Sequence, residues 1–278
     1  HVTVICETSD YPRVITEIEE HGDTTPELRA KLAAKVFLRT AQYDSAIAGQ
    51  LTHGSGGGLI LKHGLHLRYG ENPHQWGAYY DVNATPRPWT VVQEEKQMSY
   101  LNILDADGAW NLVQEFSEPA AACIKHANPS GVATHEDISE AFQRSYDADR
   151  LSAFGVIIAL NRPCTGKIIE KIMEQKIFVE VIIAPDFDED ARALLPKRKN
   201  LRALQMHTDS KDTVIARTAL GGMLLQNLDT HVVQASDLQC VTDIQPNDAQ
   251  IADLLFAWSV VKHAKSNAIV FAKDRTTF

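Results

Sequence analysis

Apolar and polar positions fall in blocks along the chain, and the period of the blocks changes from element to element. Val2-Thr-Val-Ile-Cys6 is a short β-prone run and predicts an opening strand. Pro12 then occupies a first helical position, Val14, Ile15 and Ile18 recur at helical spacing, and Gly22 closes a short helix. A second helix starts at Thr25-Pro26 and runs to about Gln50, with Leu28, Leu32, Val36, Tyr43 and Ile47 on one stripe. Gly54-Ser-Gly-Gly-Gly58 follows and reads as a linker. It lacks the Gly-Lys-Ser/Thr ending of a phosphate-cradling P-loop.

Beyond the linker, buried-type strands alternate with amphipathic helices. The strand candidates are Ala120–Ile124, Gly155–Leu160, Val179–Ala184, Leu201–Gln205, Met223–Gln226 and Ala268–Ala272. The helix candidates are Asn102–Phe116, Asp137–Asp149, Thr165–Gln175, Asp188–Leu195 and Pro246–Ala264. This order predicts an α/β fold, a layered sheet with helices on both faces. In the last helix Ile251, Leu254, Leu255, Trp258 and Val261 make one apolar face, which predicts Trp258 in the core. The strand-first opening and the abrupt stop at Phe278 read as a fragment lacking both ends.

Composition narrows the class. With 278 residues, 44% hydrophobic and 23% charged, the chain can bury a core, and no apolar run reaches membrane-spanning length. The 36 acidic residues exceed the 27 Lys and Arg, a net charge of −9 that argues against nucleic acid as a partner. Cys6, Cys123, Cys164 and Cys240 form no Cys-x-x-Cys pair and read as thiols of a reducing, cytoplasmic compartment.

Five places carry candidate chemistry. Arg68-Tyr-Gly-Glu-Asn-Pro-His-Gln75 is a loop by its turn residues; it offers a guanidinium and a phenol to an anion, or merely caps its neighbours. In Ile124-Lys125-His126-Ala-Asn128-Pro129-Ser-Gly131 a buried strand runs into Lys-His and then into Asn-Pro-x-Gly, read as the turn. Ligands of open α/β sheets gather at the carboxyl ends of strands, where Lys125 and His126 fall. The neighbouring ammonium disfavours a charged imidazole, so His126 suits a neutral base and Lys125 a stabiliser of negative charge; a polar pair at a strand end is the alternative. Gly155 precedes a strand where a ligand could approach the backbone, and Glu180 interrupts an apolar run. Glu180 is either a ligand to hydroxyl groups or an outward edge residue. Lys265-Ser-Asn267 adds an amide at a helix-to-strand corner. No metal signature appears: His135-Glu136 is not His-x-Glu, and Pro163-Cys164 lacks a second cysteine, so no zinc is expected. No nucleophile elbow for a serine is present.

The same segments in the same order resemble the bifunctional purine-biosynthesis family that joins an AICAR transformylase to an IMP cyclohydrolase. The likeness rests on Val2–Cys6, Thr40–Asp44, Arg68–Gln75, Ser99–Asn102, Ile124–Gly131, Ser152–Gly155, Val181–Pro185 and Lys265–Ile269. It implies that residues 1–52 are the end of the cyclohydrolase domain, 53–66 a linker, 67–245 a first, cytidine-deaminase-like transformylase subdomain, and 246–278 the start of a second. It implies formyl transfer from the cosubstrate 10-formyltetrahydrofolate to AICAR, giving FAICAR for IMP synthesis, in a homodimer that needs no zinc. By the same likeness His126 is the catalytic base and Lys125 the transition-state stabiliser. Arg68, Tyr69 and Gly155 contact the nucleotide, Glu180 stands where some members have aspartate, and Asn267 recognises the carboxamide from a neighbouring subunit. The Gly54–Gly58 stretch departs from the family pattern. Folate contacts would lie downstream of Phe278, so little activity is expected of these residues alone. A nucleotide-binding fragment without catalysis, and a zinc deaminase on a related fold, are the competing classes.

Overall fold

The computed structural model describes residues 2–82, 87–207 and 214–278, His63 through its backbone alone. The chain divides into two compact units, one of His1–Leu65 with Ala78–Pro86, the other of His66–Gly77 with Arg87–Phe278.

The first unit holds α1 (Tyr11–His21), α2 (Pro26–Leu51), β1 (Leu61–His66, its last residue in the second unit) and β2 (Ala78–Val82), the two strands pairing with each other. Helix α1 starts at Tyr11, one residue before Pro12, and Gly22 ends it with φ 76°, a left-handed cap that donates to Ile18. Thr25 caps α2 by accepting the Leu28 N–H. Val14, Leu28 and Leu32 form the small core with Ile5 against them. Two expectations change here. Val2–Cys6 is not a strand, and the α2 stripe is buried only at Leu28 and Leu32, leaving Tyr43 67% exposed. The Gly54–Gly58 stretch is folded against α2, where Gly58 exchanges two hydrogen bonds with the Ser45 hydroxyl.

The second unit is built on β3 (Trp89–Gln93), α3 (Tyr100–Val113), β4 (Ala120–Lys125), β5 (Asn128–Thr134), α4 (Ile138–Asp147), β6 (Val156–Leu160), α5 (Gly166–Glu174), β7 (Val179–Ala184), α6 (Glu189–Leu194), β8 (Arg202–Met206), β9 (Val214–Ala219), β10 (Gly222–Asn227), α7 (Asp248–Val261), β11 (Ala272–Lys273) and β12 (Thr276–Thr277). Eight strands form a mixed sheet in the order β11-β12-β5-β4-β6-β7-β8-β3, with β9 and β10 as a separate antiparallel pair. Within the large sheet β6, β7 and β8 run parallel and the other pairings are antiparallel.

Burial on both faces explains the near-continuous apolar reading of the central strands. Ala121 and Cys123 of β4, Val156, Ile158 and Leu160 of β6, and Ile182 and Ala184 of β7 pack against Phe142, Ile168, Ile169, Ile172 and Ala191 of α4 to α6. Helix α3 lies against β4, β6 and β7 with Ala106, Ala109, Leu112 and Val113 buried, covering the opposite face. Ser99 and Asn102 close a reciprocal capping box at its start. All four cysteines are free thiols; Cys123 and Cys164 are buried, and burial pushes the Cys123 thiol up to about 12.

Three further expectations are corrected. Ala268–Ala272 is no strand; pairing begins only at Ala272. Trp258 is 57% and Leu254 55% exposed, whereas Phe256 and Val260 are buried, with Phe256 5.2 Å from Phe116 between ring centroids. Apolar residues surround α7 on every side, so helical period alone could not select the inward face. Asn128-Pro-Ser-Gly131 does not turn but lies in β5, and the turn falls one step earlier, at His126-Ala127.

Candidate active site

Lys125 pairs with Asn128, which leaves His126 and Ala127 as a two-residue hairpin turn. Both have left-handed backbones, φ 54° and 57°, the hand that matches strand twist in tight hairpins and that Gly, Asn or Asp adopts most readily. The Asp105 carboxylate of α3 accepts the Ala127 N–H at 2.8 Å, and the Asn128 side chain donates to the His126 carbonyl at 3.3 Å. Asp105 is 6% exposed. Burial pushes its pKa up, against the Ala127 N–H and the nearby Lys125 ammonium.

Lys125 ends β4 and donates its ammonium to the Gly155 carbonyl at 3.1 Å. Gly155 has φ 70°, and a Cβ there would lie 3.0 Å from Lys125 Nζ and 3.4 Å from Glu180 Oε1. The strand-end rule needs a correction at this point. Because β4 is antiparallel to β6, its carboxyl end lies beside the amino ends of the parallel β6 and β7.

Glu180 is an extra residue in a β-bulge. Val156 pairs with Val179 and Ile157 with Val181, so two steps on β7 answer one on β6. Val179 and Ile182 consequently share the core of α4 to α6 although three residues apart, and Glu180 is released to the side of α3. There Asn102 donates to Glu180 Oε2 at 2.7 Å, and the Arg202 guanidinium lies 3.8 Å from the same oxygen. Arg202 is 2% exposed and also donates to the carbonyls of Lys96, Gln97 and Asn200. Burial draws its pKa down, the Glu180 charge opposes that, and the positive Arg68 adds to it. Glu180 is therefore not an outward edge residue: its inward carboxylate is tied at one oxygen, with the other near Lys125 and Gly155.

Arg68 and Tyr69 are fixed to the start of α3. The Arg68 N–H donates to the Met98 carbonyl at 2.8 Å, and the Tyr69 carbonyl accepts the Tyr100 N–H at 3.1 Å. Arg68 donates to the Tyr69 hydroxyl at 2.7 Å with its guanidinium 4.6 Å from the ring centroid, while its buried Nε has no protein partner. A buried, unpaired guanidinium N–H is costly and suits an anionic ligand. Asn267 is exposed; its corner is tied to the hairpin where the Lys265 N–H donates to Asn128 at 3.1 Å.

Of the residues singled out from sequence, Lys125 bonds to Gly155, Glu180 Oε1 lies on the same side of Gly155, and His126 is next in chain to Lys125. Arg68 and Tyr69 join them through the charge neighbourhood of Arg202. Sequence reasoning assigned no role to Asn102, Asp105 or Arg202. Their signal was polar side chains placed in stretches otherwise headed for burial, two of them three residues apart on α3. Among the described residues no group of three or more His, Cys, Asp or Glu is placed to hold a metal ion, and no helix is long and apolar enough to cross a membrane.

A family model described as AICARFT/IMPCHase bienzyme matches residues 1–278. The chain is similar to the bifunctional purine biosynthesis protein PurH of Listeria monocytogenes serotype 4b, 43% identical over 286 residues, covering 99% of this chain and 56% of that protein. It is 44% identical over 290 residues to the same-named protein of Lactobacillus delbrueckii subsp. bulgaricus, and 41% over 290 to that of Ruminiclostridium cellulolyticum, with the same 99% and 56% coverage. The chain thus spans a little over half the length of these relatives.

Proposed function

The chain belongs to the AICARFT/IMPCHase bienzyme family, and from that premise we propose that the second unit carries the nucleotide side of an AICAR transformylase centre. The reaction is formyl transfer from 10-formyltetrahydrofolate to the 5-amino group of AICAR, giving FAICAR, which the cyclohydrolase half closes to IMP. The nucleophile is a weak, conjugated amine, so two ligands must be held in line and a proton removed as the bond forms.

His126 takes that proton as the amine nitrogen bonds to the formyl carbon. Lys125 stabilises the oxyanion of the tetrahedral adduct. When the adduct collapses, the bond from carbon to N10 breaks and the proton passes to the departing tetrahydrofolate. Arg68 and Tyr69 receive the nucleotide phosphate, Gly155 lets the ligand approach the backbone, and the free oxygen of Glu180 accepts from ribose hydroxyls. Asn267 binds the carboxamide across a homodimer interface.

One observation carries this reading. Lys125 and His126 stand together at a hairpin turn, with the Lys125 ammonium on the Gly155 carbonyl and close to the Glu180 carboxylate. That arrangement supports a reading in which a base, a cation and an acceptor serve one site.

The domain reading follows the family: 1–52 closes the cyclohydrolase domain, 53–66 links, 67–245 is a first cytidine-deaminase-like subdomain, and 246–278 opens a second. The protein is cytoplasmic, and its partners are AICAR, reduced folate and a second subunit. The competing reading is that these residues bind nucleotide and turn over little or none.

Formyl-transfer kinetics on the full-length enzyme carrying this segment test the proposal. His126→Ala lowers kcat by roughly 100-fold or more, the usual contribution of a general base. Turnover equal to wild type would overturn it.

A further inference from the structure

We infer that Asp105 is a positioning residue that holds the His126-Ala127 turn in its left-handed form and so fixes where the His126 imidazole stands. The inference deepens the reading above and rests on His126 as the base. Asp105 touches the turn's backbone, not the reacting atoms.

The turn is built from residues that do not favour it. His126 and Ala127 both carry positive φ, 54° and 57°, and neither is a glycine. Left alone, such a pair relaxes toward right-handed or extended backbone. Relaxation would break the Lys125 to Asn128 pairing, swing the Lys125 side chain away from Gly155, and re-aim His126 beside it. The restraint comes from outside the hairpin, where Asp105 Oδ1 accepts the Ala127 N–H at 2.8 Å.

The place of Asp105 argues that this is its purpose. Position 105 faces inward on α3, beside buried Ala106 and one turn from buried Ala109, where an apolar residue would pack at less cost than a carboxylate. Helix α3 is itself seated on β4, β6 and β7 and capped at Ser99. Asp105 therefore ties a strained turn to one of the most firmly packed elements of the unit. Three residues earlier, Asn102 does the same for Glu180, so one face of α3 sets two parts of the site.

Hydrogen exchange at the Ala127 amide, measured on this chain, reads the restraint without turnover. Asp105→Ala speeds that exchange about tenfold or more, while Asp105→Asn, whose amide oxygen still accepts the N–H, changes it less than about threefold. Asp105→Leu suits the apolar face of α3 and serves if the alanine variant does not fold; it gives the same acceleration. In the full-length enzyme Asp105→Ala lowers kcat about 100-fold with the KM for AICAR within about threefold, and Asp105→Asn recovers most of the loss. Unchanged Ala127 exchange in folded Asp105→Ala or Asp105→Leu would overturn the inference. Full activity of His126→Ala would instead overturn the base assignment, and the exchange result would still decide whether Asp105 holds the turn.

Discussion

Asn102 and Glu180 are 78 residues apart in sequence and joined by one hydrogen bond, the Asn102 amide donating to Glu180 Oε2 at 2.7 Å. The same asparagine completes the capping box of α3 by accepting the Ser99 N–H at 3.0 Å. One side chain therefore starts the helix and orients the carboxylate released by the β7 bulge. Arg202 approaches the same oxygen at 3.8 Å, so both interactions fall on Oε2 and neither on Oε1.

Asn102→Asp separates the two tasks. A carboxylate at 102 still accepts the Ser99 N–H but cannot donate to Glu180, and the two charges repel. Affinity for AICAR ribonucleotide falls about tenfold, near 1.4 kcal/mol, while affinity for its 2′,3′-dideoxy analogue changes little. Isothermal titration of both ligands checks this; equal losses for the two would contradict a role in presenting Glu180 to ribose.

Gly155→Ala tests the close approach between Lys125 and the residue just ahead of β6. With φ 70°, and a Cβ 3.0 Å from Lys125 Nζ, alanine meets both backbone strain and a displaced ammonium. The expected cost is about 1–2 kcal/mol of stability, read by chemical denaturation, with weaker nucleotide binding. A variant as stable as wild type would show that the loop absorbs the change.

Asp137 gives a pH-dependent prediction away from the site. It pairs with Lys167 at 2.7 Å and caps α4 by accepting the Ser139 N–H at 2.8 Å, and those two interactions, the Lys167 ammonium first, hold its carboxyl far below the usual range. A depressed carboxylate stabilises the fold above its unfolded pKa of about 3.9, and that contribution is lost as pH falls through the lower folded value. Asp137→Ala therefore costs about 1 kcal/mol at pH 7, mostly the cap, because both partners of the ion pair are largely exposed and solvent screens it. The gap between wild type and variant narrows below about pH 4. Urea denaturation at pH 7 and at pH 3 measures it; a gap that stayed constant would contradict the assignment.

The elements of the second unit were legible where burial imposed one clear period. The strands β4, β6 and β7 read as apolar runs, and α4 and α5 read as amphipathic helices, because each is covered by a neighbouring layer. Legibility ended where a residue broke its local rule. The strongest turn signal, Asn128-Pro-Ser-Gly131, belongs to a strand, while the turn fell on His-Ala with Asp105 of α3 bonded to it. The direction of Glu180 depends on a bulge that strict alternation cannot foresee, and α7, apolar on all sides, concealed which face turns inward. The candidate site was legible as chemistry at Arg68, Lys125, His126 and Glu180. Its supports, Asn102, Asp105 and Arg202, emerge only when distant segments are brought together.

The most direct test is a calorimetric titration of AICAR ribonucleotide into this chain, alongside Arg68→Met, Lys125→Met and Glu180→Gln. One shared site predicts that wild type binds and that each substitution weakens binding by about tenfold or more. Absence of binding by wild type, or unchanged affinity in both Lys125→Met and Glu180→Gln, would contradict it.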